Sequence, residues 1–125
     1  MSTSRWYKPF TLVLLLLISC GKSLPSFENM DLNAWKDDKL ACGGKRTAMI
    51  ETMQEQTEKL LALNEQEIIS LLGKPDENEL YKRNQKFFYY YLDPSPSCTN
   101  SESIDPKKLV IRFNAVGLAK EVAVE

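Results

Sequence analysis

Histidine does not occur anywhere in this chain of 125 residues. Its absence excludes Ser-His-Asp and Cys-His catalysis and every metal site that needs an imidazole ligand. An excess of one charge is also missing, because 16 basic side chains accompany 17 acidic ones. A near-neutral chain has no general electrostatic attraction for nucleic acid or for anionic lipid. The sequence therefore predicts neither a nucleic-acid partner nor a histidine-dependent enzyme.

Long apolar runs are scarce too, and the run near the start, Leu12–Ile18, spans only seven residues. A transmembrane helix needs about 20 apolar residues, and an extension of this run toward the start soon meets Lys8. The run follows the basic residues Arg5 and Lys8 and precedes the small residue Ser19, as in a secretory signal. We therefore predict that residues 1–19 are a cleaved signal peptide. A retained membrane span is the alternative.

The apolar run ends in Leu17-Ile18-Ser19-Cys20-Gly21, which resembles the lipobox of bacterial lipoproteins. The resemblance implies that Cys20 becomes the first mature residue and carries acyl chains such as palmitate. Each buried methylene group contributes about 0.8 kcal/mol to membrane binding, so several chains anchor a protein stably. The alternative is an ordinary signal peptide in which Cys20 is incidental.

The residues after Cys20 bear on which membrane is reached. They are Gly21, Lys22 and Ser23, so no aspartate adjoins Cys20 and no acidic cluster follows it. By comparison with lipoproteins that carry such signals, this pattern predicts an anchor on the periplasmic face of the outer membrane. The chain then divides into a signal peptide (1–19), a lipidated tether (20–27) and a single domain (28–125).

Cys42 and Cys98 are the cysteines that remain if Cys20 is acylated. An even pair in an oxidising compartment indicates a disulfide, and a bond that closes a long loop contributes about 2–4 kcal/mol. Two free thiols are the alternative. Two cysteines without histidine do not complete a four-ligand zinc site, and the sequence implies no cofactor.

The segment from Phe27 to Lys36 is predicted to contain a short helical turn with aromatic anchors. Trp35 is a candidate for a binding surface, and the alternative is a core residue that covers the sheet. Asp37 and Asp38 are predicted to form a solvated turn. They lack the further oxygen ligands, in order, of a calcium-binding EF-hand loop.

Two longer helices are predicted next. The first covers residues 45–61, where apolar residues at helical spacing favour core packing over a methionine-rich binding groove. Those residues are Met49, Ile50, Met53, Leu60 and Leu61. The second begins at the N-cap Asn64, has Glu67 in the position of a capping box, and ends at Gly73. Residues 76–79 are predicted to be an exposed turn.

Three strands are predicted after the second helix. Residues 86–92 are aromatic or apolar on both faces, and residues 109–113 alternate in the manner of a half-buried strand. A turn that ends at Gly117 leads to the last strand, residues 118–124, whose apolar face is interrupted by Lys120. The predicted fold class is α+β, with two helices packed on a three-stranded antiparallel sheet.

The order of these elements, with Asn64-Glu65-Gln66-Glu67, Leu72-Gly73-Lys74-Pro75 and Phe113-Asn114-Ala115-Val116-Gly117, resembles the BamE/OmlA (SmpA) family of small outer-membrane lipoproteins. β-Lactamase-inhibitor-like domains are similar in their two-helix, three-strand plan. The resemblance covers residues 61–124 and departs from the family at Ala62 and Asn114, where the family carries Gly and Asp. It implies a fold, and no functional residue is carried over from it.

Three functional hypotheses follow from the sequence. The first is a lipid-anchored, non-catalytic accessory or scaffold protein that contacts another envelope protein in outer-membrane assembly or maintenance. The second is a periplasmic binding module for a small ligand or cell-wall fragment. Its aromatic platform would consist of Tyr81, Phe88 and Tyr90, with core packing of these rings as the alternative. An enzyme is not favoured, because no pattern brings two carboxylates together in an apolar setting.

Overall fold

The computed structural model describes residues 23–99 and 104–125, which form an α+β fold with three α-helices and a four-stranded antiparallel sheet. The elements are α1 (Leu32–Asp37), α2 (Ile50–Glu55), α3 (Glu65–Leu72), β1 (Glu77–Tyr81), β2 (Gln85–Tyr91), β3 (Lys108–Phe113) and β4 (Ala119–Val124). Short 3₁₀ turns lie at Lys39–Ala41, Thr47–Met49, Thr57–Leu60 and Lys82–Asn84. Within the described part, no helix is long and apolar enough to span a bilayer. The predicted signal peptide and Cys20 lie outside the described residues.

The sheet contains one strand more than the sequence predicts. The extra strand is β1, which pairs antiparallel with β2 from Glu77 opposite Tyr89 to Tyr81 opposite Gln85. The predicted exposed turn at residues 76–79 is therefore wrong in part, since residues 77–79 belong to β1. All five residues of β1 are exposed, so β1 carries no buried apolar pattern of its own. Pairing with β2 makes this segment a strand.

The long helix predicted for residues 45–61 is broken into three pieces. The 3₁₀ turn Thr47–Met49 leads into α2, and the chain then leaves helical geometry at Gln56 before the turn Thr57–Leu60. The side-chain amide of Gln56 donates to the Glu28 carbonyl at 2.9 Å and accepts from the Glu28 N–H at 2.8 Å. The predicted apolar stripe is nevertheless partly right, because Met53 and Leu60 are fully buried, whereas its last residue, Leu61, is 41% exposed.

Helix α3 confirms its predicted caps. The Asn64 side chain accepts from the Glu67 N–H at 2.8 Å, and the Glu67 carboxylate accepts from the Asn64 N–H at 2.9 Å. Both bonds satisfy amide groups that the start of a helix leaves without partners. At the other end Gly73 has a φ of 82°, a conformation that glycine reaches without a steric cost.

The β3–β4 hairpin also forms as predicted, and its bulge explains the interrupting lysine. Residue Arg112 pairs with Glu121 while its neighbour Phe113 pairs with Ala119, so Lys120 is the extra residue of a β-bulge. The bulge shifts the alternation by one position. Residues three apart in a regular strand lie on opposite faces, but because of the bulge Val122 faces the core, as Ala119 does.

One face of the sheet and the helices enclose a single hydrophobic core. Trp35 is fully buried in it, and its indole N–H donates to the Leu72 carbonyl at 3.1 Å. The buried core residues are Trp35, Met53, Leu60, Leu63, Ile68, Leu71, Leu72, Phe88, Tyr90, Leu92, Leu109, Ile111, Phe113 and Ala119. The core alternative for Trp35 is therefore the correct one, since the ring lies between α3 and the sheet.

Candidate functional site

Strand β2 presents aromatic rings to both faces of the sheet. Phe88 and Tyr90 point into the core and are buried, so they do not form the surface platform that the sequence suggested. Their neighbours Phe87 and Tyr89 lie on the opposite face and are partly exposed. Side chains alternate along a strand, and the register Phe88 opposite Ile111 assigns the even-numbered rings to the core. Tyr81 is the only residue of the predicted platform that remains exposed, at 50%.

The face of the sheet opposite the core is called the open face. The name does not include the end of that face at Tyr91. Its side chains are partly or fully exposed, in contrast with those of the core face. The open face consists of Tyr81, Phe87, Tyr89, Val110, Arg112, Glu121 and Ala123. The regular alternation of apolar and polar residues in β3 could have predicted these residues. Residues that pair across two neighbouring strands lie on the same face of the sheet, so the faces of β3 determine those of its partners.

The three rings of the open face form a continuous row. Tyr81 meets Phe87 edge-on with ring centroids 5.0 Å apart, and Phe87 lies nearly parallel to Tyr89 at 6.2 Å. This row lines a shallow pocket of about 420 Å³, together with Gln85 and the cationic Lys82 and Arg83 of the β1–β2 turn. Aromatic pairs of this kind contribute about 0.5–1.5 kcal/mol each, so the three rings favour one another's orientation.

Charged groups at the Tyr91 end of the row are paired with one another. The Tyr91 hydroxyl donates to Glu77 at 2.8 Å, and the Lys108 ammonium lies 3.9 Å from the same carboxylate. Lys108 also lies 5.4 Å from the centre of the Tyr89 ring. Burial, followed by the influence of the neighbouring Glu79 carboxylate, raises the pKa of the Tyr89 hydroxyl above its ordinary value. Tyr89 therefore stays a neutral hydrogen-bonding group throughout the physiological range.

A buried ion pair lies next to Tyr91 at the same end of the sheet, and sequence reasoning missed it. The Arg46 guanidinium donates to the Asp76 carboxylate at 2.7 Å and to the Trp35 carbonyl at 2.9 Å. Asp76 also accepts from the backbone N–H groups of Leu40 and Tyr91, at 3.1 and 2.8 Å. Every buried side-chain N or O atom in the described residues has a hydrogen-bond partner. This network therefore joins the N-terminal segment to the sheet and offers no free group for chemistry.

The predicted solvated turn at Asp37 and Asp38 needs a correction. Asp38 is buried, and its carboxylate accepts from the N–H groups of Gly43 at 2.6 Å and Arg46 at 2.9 Å. These two hydrogen bonds hold the loop after Asp38 around its carboxylate and fix the backbone position of Arg46. Asp37 is exposed, as predicted. Among the described residues, no three Asp, Glu or Cys side chains converge as metal ligands would.

The structure joins Cys42 and Cys98 in a disulfide, with Cα atoms 5.5 Å apart. The Ser95 N–H, close to Cys98, donates to the Leu40 carbonyl at 2.9 Å. The covalent bond and this hydrogen bond attach the β2–β3 loop to the segment that follows α1. The predicted pairing is present, and it stabilises the scaffold at a distance from the pocket residues.

Comparisons with protein-family models, curated proteins and solved structures found no match for this chain. The site combines a partly exposed row of three rings with two cations at one end. The interactions available to such a surface are stacking on the rings and charge pairing with the cations.

Proposed function

We propose that the protein is a lipid-anchored envelope lipoprotein that acts as a non-catalytic accessory or scaffold protein in outer-membrane assembly or maintenance. The observation that carries the contact role is the open face, where the aromatic row Tyr81–Phe87–Tyr89 stands partly exposed. Aromatic residues and arginine are the residues that most often anchor protein–protein interfaces. Arg112 and Val110 extend the same surface across β3.

The anchor part of the proposal is supported by the sequence Leu17-Ile18-Ser19-Cys20-Gly21 and by the disulfide. Disulfides persist in oxidising compartments such as the periplasm, which agrees with export. The resemblance of residues 61–124 to the BamE/OmlA family supports the outer membrane as the site. The partner on this proposal is another envelope protein, which the open face contacts.

A second candidate function is a periplasmic binding module for a small ligand or a cell-wall fragment. The pocket of about 420 Å³ beside Tyr81 and Phe87 favours it, because small-molecule sites commonly have volumes of about 300–1,000 Å³. The residues that would carry it are Tyr81, Phe87 and Tyr89, in place of the buried Phe88 and Tyr90.

Site-specific photo-crosslinking in intact cells tests the scaffold function. A benzophenone amino acid is placed at Arg112 or Ala123 on the open face, and at Glu51 on the exposed side of α2 as the control. We expect a discrete adduct with an envelope protein from the open-face positions and none from Glu51. Adducts of equal yield from all three positions, or adducts from none, would refute a protein contact at the open face.

A further inference from the structure

The tip of the β1–β2 hairpin carries a basic pair, Lys82 and Arg83. Lys82 and Arg83 are exposed, and neither forms an ion pair with any residue between 23 and 99 or between 104 and 125. The cations on the rest of this face differ, because Lys108 pairs with Glu77 and Arg112 with Glu121. Two cations without an ion-pair partner among the described residues thus border a pocket that is lined by three aromatic rings.

The acidic groups lie toward the opposite end of the aromatic row. Glu79 stands beside Phe87 in the β1–β2 register, and its side chain is exposed. Glu77 lies two residues before Glu79 in β1. It accepts a hydrogen bond from the Tyr91 hydroxyl and forms an ion pair with Lys108. The pocket therefore has a basic end at the hairpin tip, and the exposed Glu79 lies next to Phe87 on the same face of the sheet.

We propose that this pocket binds a sugar ring that carries a carboxylate. The flat C–H face of the sugar stacks on one of the two rings Phe87 and Tyr81, which stand at 76° to each other, and the other ring contacts the edge of the sugar. The carboxylate points to Lys82 and Arg83. Hydroxyl or amide N–H groups on the other side of the sugar donate to Glu79. An aromatic acid lacks those donors, and a neutral sugar leaves the two cations unused. This inference deepens the second candidate function and makes no use of the lipid anchor.

The backbone of the hairpin tip makes the role of Arg83 testable. Arg83 and Asn84 have φ values of 65° and 59°, in the left-handed region where Asn and Gly are favoured. Turn stability therefore does not account for an arginine at this position. The change Arg83→Asn suits the turn at least as well and removes the charge, so a loss of binding in this variant reports on charge.

Titration calorimetry and NMR shift mapping test the site with matched pairs of sugars. The probes are glucuronic acid against glucose, and N-acetylmuramic acid against N-acetylglucosamine, each pair differing in the carboxylate-bearing group. The full chain is used in a detergent without a sugar headgroup. We expect each acidic sugar to bind about fivefold more tightly than its neutral partner, as for a favourable exposed charge pair. The largest shifts should fall on the signals of Tyr81, Phe87 and Gln85.

Two variants and their controls locate the binding. Lys82→Gln with Arg83→Asn should abolish the preference for the acidic sugar, and Lys45→Gln with Lys120→Gln removes the same charge from exposed positions elsewhere and should not. Tyr81→Ala should weaken both members of a pair about fivefold through lost stacking. Its control is Leu80→Ala, because Leu80 is 71% exposed on the other face of the same strand.

The outcomes separate this proposal from the others. Equal affinity for acidic and neutral sugars, absence of binding, or binding that survives the Tyr81 and Lys82/Arg83 variants would each overturn it. Shifts at the pocket with a short acidic peptide, but with no sugar, would overturn it in favour of a peptide site. None of these results bears on crosslinking at Arg112 or Ala123, which tests the scaffold function separately.

Discussion

The Arg46 guanidinium and the Asp76 carboxylate lie 2.7 Å apart with side-chain exposures of only 1% and 4%. Arg46 also lies over the Trp35 ring, with its guanidinium carbon 4.9 Å from the ring centre. Buried charges are tolerated when each remaining hydrogen bond is satisfied, as it is here. The pair holds the loop after α1, the start of β1 and the end of β2 in one place.

Removal of one member of this pair should be more damaging than removal of both. We expect Arg46→Met to lower the free energy of unfolding by about 3–5 kcal/mol, because Asp76 is then buried without its counter-ion. Arg46→Met with Asp76→Leu should recover part of that loss. Urea unfolding followed by tryptophan fluorescence measures all three proteins. A double variant less stable than Arg46→Met would mean that Asp76 acts mainly through its backbone partners Leu40 and Tyr91.

The position of this pair shows what sequence reasoning reaches and what it does not. The caps of α3 could be predicted because Asn64 and Glu67 are three residues apart, and their chemistry is local. Arg46 and Asp76 are 30 positions apart, and the sequence around either residue does not indicate that the two form a pair. The local sequence around Asp76 predicts a turn, and it carries no information about a distant arginine.

The aromatic row illustrates a second limit. Residues 87–91 are aromatic without interruption, so the strand could be predicted but not which rings face the core. The partner strand decides, because Ile111 opposes Phe88 while Arg112 opposes Phe87. β1 was missed for a related reason: its polar residues become a strand only through pairing with β2.

The two ends of α3 give a graded stability prediction. Asn64→Ala should lower the free energy of unfolding by about 1 kcal/mol through loss of the N-cap. Gly73→Val should lower it by about 2 kcal/mol or more, because a β-branched residue is strained at a φ of 82°. The added Cβ would also lie 3.3 Å from Lys36 Cγ. Thermal unfolding measures both variants, and shifts in the reverse order would mean that the C-cap is easily rebuilt.

The buried hydroxyl of Tyr90 should make the folded protein less stable in alkaline solution. Burial, only partly opposed by the Arg46 charge, raises the pKa of its hydroxyl above the ordinary value of 10.0. The unfolded chain therefore loses this proton at a lower pH than the folded chain, and stability should fall as the pH rises above about 10. Tyr90→Phe should be less stable at neutral pH by about 1 kcal/mol, through loss of the 2.7 Å bond to the Gly73 carbonyl.

The comparison of the two proteins between pH 8 and pH 11 isolates this effect. The wild-type curve should fall more steeply than that of Tyr90→Phe, because the variant has no proton to lose at this position. Other alkaline titrations, of lysines for example, affect both proteins and cancel in the difference. Parallel curves would show that the Tyr90 hydroxyl is not buried in solution.

Acylation of Cys20 is tested directly by its replacement. We expect Cys20→Ala to accumulate as an unlipidated precursor that stays out of the detergent phase in which membrane lipoproteins collect. Metabolic labelling with a palmitate analogue should mark the wild-type chain and not the variant, with Cys42→Ser and Cys98→Ser as cysteine controls that keep the label. A variant that remains membrane-bound after complete signal cleavage contradicts the lipobox interpretation.

The last prediction concerns the disulfide between Cys42 and Cys98. The bond closes a loop of 56 positions and joins two segments of mostly polar sequence, so its loss should release both from the sheet. We expect a reducing agent to lower the free energy of unfolding by about 2–4 kcal/mol, and Cys42→Ser with Cys98→Ser to remove that sensitivity. Hydrogen exchange should accelerate at the Ser95 amide, which donates to Leu40 across the same junction. The amides of α3, which lie outside both segments, should change far less and serve as the internal control. Two titratable thiols at Cys42 and Cys98 in protein taken directly from the envelope would show that the bond is absent in the cell.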